Sequence, residues 1–135
     1  MTINALALWH QILQQQNPAH LDTLLADNAV FHSPVVHTPQ VGKVLTTLYL
    51  SAAFKVLYND SFHYVREVVG SSDAVLEFEV EIDDIKVNGV DMMKWNEAGQ
   101  IVDFKVMLRP LKAVNLIHQK MGEMLAAYTK QKSNG

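Results

Sequence analysis

Residues 74–83 read AVLEFEVEID, and their alternation constrains the fold more than any other stretch. Leu76, Phe78, Val80 and Ile82 alternate with Glu77, Glu79, Glu81 and Asp83. Successive side chains of an extended chain point to opposite faces, so this is a strand with one buried and one wet face. A turn is expected at Asn88-Gly89, leading into a strand over Val90–Trp95, and Asn96-Glu97-Ala98-Gly99 then turns the chain into Ile101–Arg109. With Ser61–Val69 these segments make a four-stranded antiparallel meander.

The period before residue 60 is that of a helix. Leu6, Trp9, Ile12 and Leu13 recur at helical spacing between Asn4 and Gln15. Asn17-Pro18 supplies a cap and a first-turn proline for a second helix through Leu21, Leu24 and Leu25. Ala29–Ser33 is a short strand candidate, ended by Pro34 and Pro39. After Gly42, the run Val44, Leu45, Leu48, Tyr49, Ala52, Ala53 and Val56 predicts a third, well-buried helix ending near Tyr58. Gly42 is read as a helix-start residue needed for close packing. Pro110 begins a last helix with the stripe Leu111, Val114, Ile117, Met121, Leu125 and Tyr128. Segregated elements of this kind imply an α+β fold: three N-terminal helices packed into a curved antiparallel sheet of about four long strands plus a short one, with a C-terminal helix. Such a cup encloses a pocket.

One domain over residues 1–130, with a tail at 131–135 expected to fray, suits a chain of 135 residues. The 11 basic and 14 acidic side chains give a net charge of −3, and the basic ones gather on no expected face. A nucleic-acid role therefore has no electrostatic driving force. The first basic residue is Lys43 and no apolar run is long enough to span a membrane, so a cytoplasmic protein is expected. With no cysteine there is no disulfide, thiol nucleophile or thiolate metal site.

Strand parity supplies the strongest site inference. On Ile101–Arg109, Val102, Phe104, Val106 and Leu108 share one face, with Asp103, Lys105 and Arg109 on the other. On Val90–Trp95, Met92 and Lys94 point out, so Asp91 points in with Met93 and Trp95. A carboxylate on the apolar side of a sheet loses solvation, and its pKa rises unless donors compensate. That marks Asp91 as a functional candidate; a place at the wet rim of a turn is the bland alternative. On Ser61–Val69, Arg66 shares parity with Phe62 and Tyr64, and both faces are mixed, as for a strand covered on both sides.

The order of elements, the segment LLADNAVFHSP, the proline-rich crossing to Gly42 and the segment GVDMMKWNEAGQIVDFKV together resemble the nuclear transport factor two-like superfamily, in its SnoaL-like and ketosteroid-isomerase-like branch. The resemblance implies a cone-shaped, strongly bent sheet closed by helices around an apolar pocket, often as a homodimer through the sheet. It places Asp91 where ketosteroid isomerases keep a protonated aspartate that donates to an oxyanion. Ser33 stands where they keep a general-base aspartate, and Trp9 where they keep a tyrosine; a serine hydroxyl is no base near neutral pH and an indole N–H only donates. Other members use a single aspartate as acid and base, or a histidine, for which His32 and His37 are candidates here. Alternation turns His32 outward; His37 lies past Pro34, where parity gives no guidance.

Two readings stay open from the sequence. One is a cofactor-free isomerase, cyclase or dehydratase acting on a small apolar carbonyl or cyclic compound through Asp91, with His37 as a candidate base and Trp9, Phe31, Ser33, Tyr49, Phe62, Phe78, Met93, Phe104 and Leu108 lining the pocket. The other is a non-catalytic module that binds a ligand or dimerises through the outer sheet face, where Met92 and Met107 add apolar surface. No metal is expected: His32, His37 and Asp91 match no recurrent ligand spacing, and His10, His20, His63 and His118 are scattered.

Overall fold

The computed structural model describes the backbone of residues 4–134 and the side chains of residues 4–128. The tail expected to fray, residues 131–135, lies outside the described side chains. Helix α1, Ala5–Gln15, is capped by the Asn4 side chain, which accepts from the Ala7 N–H at 3.0 Å. A single 3-10 turn, Pro18–His20, follows under an Asn17 cap and leads into the one-turn helix α2, Leu21–Leu24. The expected second helix included Leu25 and the expected strand began at Ala29, but Leu25 opens strand β1, Leu25–His32. Leu21, Leu24 and Leu25 are all fully buried, a demand that a helical turn and a strand start satisfy equally, so apolar spacing does not locate the boundary between them.

After β1 come the two-residue strand β2 (Gln40–Val41), helix α3 (Lys43–Leu57), strands β3 (His63–Val69), β4 (Asp73–Ile82), β5 (Ile85–Trp95) and β6 (Ile101–Arg109), and helix α4 (Leu111–Asn134). They form one six-stranded sheet in the order β2-β1-β6-β5-β4-β3. The meander is antiparallel as expected, but β1 joins it parallel to β6, so the sheet is mixed and has five long strands. Parallel neighbours need a long connection, here everything from residue 33 to residue 100.

Three local expectations change. The hairpin between β4 and β5 turns at Asp83-Asp84, whose φ angles of 51° and 66° make the two-residue connection, and Asn88-Gly89 lies inside β5. Gly89 is small there for a packing reason: a Cβ would sit 2.5 Å from Phe78 Cζ and 2.8 Å from Leu108 Cδ2. Gly42, by contrast, has open space around it; its φ of 104° is what requires glycine. Third, the mixed faces of β3 have a local cause. An irregularity between Tyr64 and Arg66 shifts the register, so Tyr64 pairs with Phe78 on the inner face while Arg66 pairs with Glu77 on the outer.

Helix α3 packs on β1 and α4, and α4 on β5 and β6. The α4 stripe runs through Ala113, Ile117 and Met121 rather than from Leu111, which is 74 % exposed. Inside, Trp9 rests against Phe54 and Phe104 at centroid distances of 5.5 and 4.8 Å, and Phe31 stacks on Phe104 at 6.2 Å. Burying rings of this size is where much of the apolar driving force resides, at about 25 cal/mol per Å² removed from water. Thr46, fully buried on α3, donates its hydroxyl to the Ala29 carbonyl at 3.2 Å, and the Gly42 N–H donates to the same oxygen at 2.8 Å, tying the start of α3 to β1.

Candidate acid site inside the sheet

Asp91 lies in mid-strand, paired with Leu76 on β4 and Val106 on β6. Because β5 runs unbroken from Ile85, the position at a turn's wet rim is removed, and the side chain is 4 % exposed on the inner face. Its neighbour is Tyr64 on β3, whose hydroxyl donates to Asp91 Oδ2 at 2.6 Å; the indole N–H of Trp9 on α1 donates to the Tyr64 oxygen at 2.9 Å. Tyr64 is the partner of the carboxyl among the described residues. Since no fully enclosed polar side-chain atom among them lacks a partner, Asp91 Oδ1, which has none, is not fully enclosed.

Burial is the dominant electrostatic effect. It raises the Asp91 carboxyl from 3.8 to about 7, with the hydrogen bond from Tyr64 acting in the opposite direction. Tyr64 is pushed well above the ordinary phenol value, first by burial and then by the adjacent charge of Asp91. Tyr58, at the end of α3, is raised by burial and by Asp91, while hydrogen bonding with Tyr64 works against the rise. Near neutral pH the two phenols are therefore neutral donors and Asp91 is the group that changes charge.

Tyr64 and Tyr58 are the residues the sequence reading missed. Tyr64 shares parity with Phe62, which was expected to line the pocket, and that signal was available; the bulge beyond it placed Arg66 in the same set and made the face look mixed. His10, adjacent to Trp9, meets the Tyr64 ring edge-on at 5.6 Å and pairs with Glu67 on β3 at 2.7 Å, so two consecutive α1 residues hold Tyr64.

The other expected site residues separate into two groups. Trp9, Phe31, Phe78, Met93 and Phe104 are packed into the core. Tyr49 contacts Phe31 at 5.7 Å and Phe62 stacks on Phe78 at 5.1 Å. Ser33 and Leu108 instead line an open cleft of about 510 Å³ where β1 ends beside β6, together with His32, His37 and Lys105. Ser33 Oγ accepts from the Val35 N–H at 3.2 Å, holding the turn into Pro34. His32 faces out, as its parity requires, and pairs with Asp103 at 2.8 Å; His37 is exposed. The fold thus brings neither histidine to Asp91.

A second cleft, of about 140 Å³, opens between α1 and α3. Ile12, Leu13, Pro18 and Phe54 form its apolar walls, Gln16, Ser51 and Lys55 add polar groups, and Tyr58 lines it as well. None of the nine residues expected to line a pocket is among them. Tyr58 is the side chain that this cleft shares with the buried Tyr64–Asp91 pair.

No protein-family model matches the chain, and no curated protein matches it. Among solved structures, a steroid delta-isomerase from Pseudomonas aeruginosa is 31% identical, over 96% of this chain and 97% of that one, with a TM-score of 0.87. The chain belongs to the nuclear transport factor two-like superfamily. An uncharacterised bacterial protein with a cystatin-like fold from Silicibacter pomeroyi matches 96% of this chain and 88% of its own at 24% identity and a TM-score of 0.80. A protein with a ketosteroid isomerase-like fold from Catenulispora acidiphila, solved with trimethylamine, matches 84% and 91% at 13% identity and 0.61. Both of these share the fold. In this member of the superfamily the inner face of the bent sheet carries one acid, Asp91, held by a tyrosine and a tryptophan from different elements. No helix among the described residues is long and apolar enough to cross a membrane.

Proposed function

We propose that this protein is a cofactor-free acid–base catalyst of the isomerase or cyclase type, acting on a small apolar carbonyl or cyclic compound through Asp91. The observation that carries the reading is a carboxyl 4 % exposed whose pKa is about 7. A group titrating near neutrality accepts and returns a proton with little cost in either direction. One carboxyl then serves both halves of a proton shift, removing the proton at one atom of the ligand and delivering it to another, with no net change in itself. Tyr64 engages Oδ2 and leaves Oδ1 for the ligand. Ser33, engaged in its own turn at the outer cleft, supports a one-carboxyl mechanism over a divided acid and base. The 31% identity to a steroid delta-isomerase supports the same reaction class.

Conversion of a β,γ-unsaturated ketone to its conjugated isomer, followed by absorbance between pH 5 and pH 9, tests the reading. Wild type is expected to show an inflection near the Asp91 pKa of about 7, and Asp91→Asn to lose about 100-fold or more in rate with an unchanged circular dichroism spectrum. Activity within threefold of wild type in that variant removes Asp91 from the mechanism.

A non-catalytic binding and dimerisation module is the second reading, favoured by a specific observation on the outer sheet face. Val68 is 61 % and Met107 50 % exposed there, among the mixed charges of Arg66, Glu77, Lys94 and Asp103. A second copy of the chain suits such a surface, where apolar patches and both signs of charge are self-complementary. Light scattering of wild type and Met107→Lys tests it: a dimer that the substitution dissociates supports the interface, and a monomeric wild type excludes it.

A further inference from the structure

The cleft between α1 and α3 has a size and a charge that define what it holds. Its volume is about 140 Å³. Drug-sized ligands occupy roughly 300–1,000 Å³, while an engineered apolar cavity of about 150 Å³ in another protein takes up one benzene molecule. The walls here are of the same kind, with Ile12, Leu13 and Phe54 facing the space. One six-membered ring fills it. A fused multi-ring skeleton would leave its remaining rings outside the walls, where they bury little surface and add little affinity.

The polar side of the cleft is one-signed. Ser51 and Lys55 are four residues apart on α3 and so share a helix face, and Gln16 approaches from the end of α1. No acidic side chain lines the space, and Lys55 has no ion-pair partner among the described residues; its ammonium lies 5.1 Å over the Tyr128 ring. Hydroxyl, amide and ammonium together offer donors to an anionic group such as a carboxylate. Tyr58 lines the space and lies near enough to Asp91 to feel its charge.

From this geometry we infer that the ligand is a single-ring carbonyl compound bearing an anionic substituent, seated in the α1–α3 cleft with the anion at Lys55 and Ser51. The inference rests on the reading of Asp91 as the acid only for the orientation of the carbonyl toward Tyr58. Size and charge selection belong to the cleft alone. A compound of this class is distinct from a neutral, four-ring substrate.

Amide shifts of the ¹⁵N-labelled full-length protein test it with three probes: cyclohex-2-enone, 3-oxocyclohex-1-ene-1-carboxylate and a four-ring steroid enone. Both one-ring probes are expected to shift the Ser51, Lys55 and Tyr58 amides. The carboxylated ring should bind at least about tenfold more tightly than the neutral one, the worth of one charge-assisted hydrogen bond, and Lys55→Met should bring the two level. The steroid should bind no more tightly than the neutral ring. Ser51→Phe, which fills the cleft, should abolish ring binding while its thermal melt reports folding separately. Tighter steroid binding, shifts confined to other residues, no binding of either ring at millimolar concentration, or a carboxylate preference that survives Lys55→Met would each overturn the inference. Binding is read again in Asp91→Asn: rings that still bind there, with turnover lost, separate the cleft from the acid, and a ring that fails to bind wild type counts against the cleft while leaving the carboxyl's own pH dependence intact.

Discussion

A buried carboxyl that titrates near 7 makes stability fall as pH rises, and Asp91→Asn isolates that dependence. The folded-state pKa of Asp91 is raised from 3.8 to about 7, so between those values the folded chain holds a proton that the unfolded chain has lost. Stability from this group is therefore fully present below the unfolded value and decreases up to about pH 7, above which it is level. The full span corresponds to about 4 kcal/mol, and the part falling between pH 5 and pH 8 to about 2–3 kcal/mol, at 1.36 kcal/mol per pH unit. Asparagine keeps the shape, accepts from Tyr64 through its carbonyl oxygen and cannot ionise. Urea unfolding at half-unit steps from pH 5 to pH 8 is the assay, and the difference between variant and wild type is the quantity, because the two chains share every other ionisable group. Asp91→Asn should gain on wild type steadily with pH, by about 2–3 kcal/mol over the range. Parallel curves, with the difference changing by less than about 0.5 kcal/mol, would mean that Asp91 ionises at an ordinary value and would refute the desolvation argument.

Tyr64→Phe removes the donor to Asp91 and the acceptor of the Trp9 N–H together. It should cost about 1–3 kcal/mol in denaturant unfolding, the usual penalty for an orphaned buried donor. It should also raise the Asp91 pKa further, as followed by carboxyl ¹³C shifts. Gly89→Ala places a methyl against Phe78 and Leu108 and should lower stability by about 1–3 kcal/mol in the same assay, the range for overpacking a filled core; an unchanged melting temperature would show that the strands spread to accept it.

Asp91 shows how far parity reaches. Alternation along Val90–Trp95 placed it on the inner face, and the burial agrees, even though the strand was expected to start one residue before it rather than six. Parity needs only the local phase of a strand and tolerates an error in its ends. Tyr64 shows where parity stops: a bulge inserts one residue, inverts the phase beyond it and has no fixed spelling in the sequence. The Asn-Gly pair inside β5 shows the same limit for turn chemistry. That dipeptide favours a tight turn, yet here its glycine admits the Phe78 ring, a contact from a residue eleven positions earlier. The nine expected pocket residues show a third limit, because apolar inward positions describe a core and a ligand pocket alike, and only packing decides which rings touch one another and which leave a gap.

The alternation over residues 74–82, the stripe of α1 and the inward Asp91 were legible in the sequence, because each depends on the direction of neighbouring side chains along one element; the expected α3 stripe was not, since Val44 is 81 % and Leu45 40 % exposed. Tertiary structure alone decided that β1 lies parallel to β6, that Tyr64 and Trp9 converge on Asp91 from β3 and α1, that His37 stays outside, and that a cleft of about 140 Å³ opens between α1 and α3. Those facts depend on distances between residues far apart in the chain, and such distances are fixed by register and packing rather than by the spelling of any one segment.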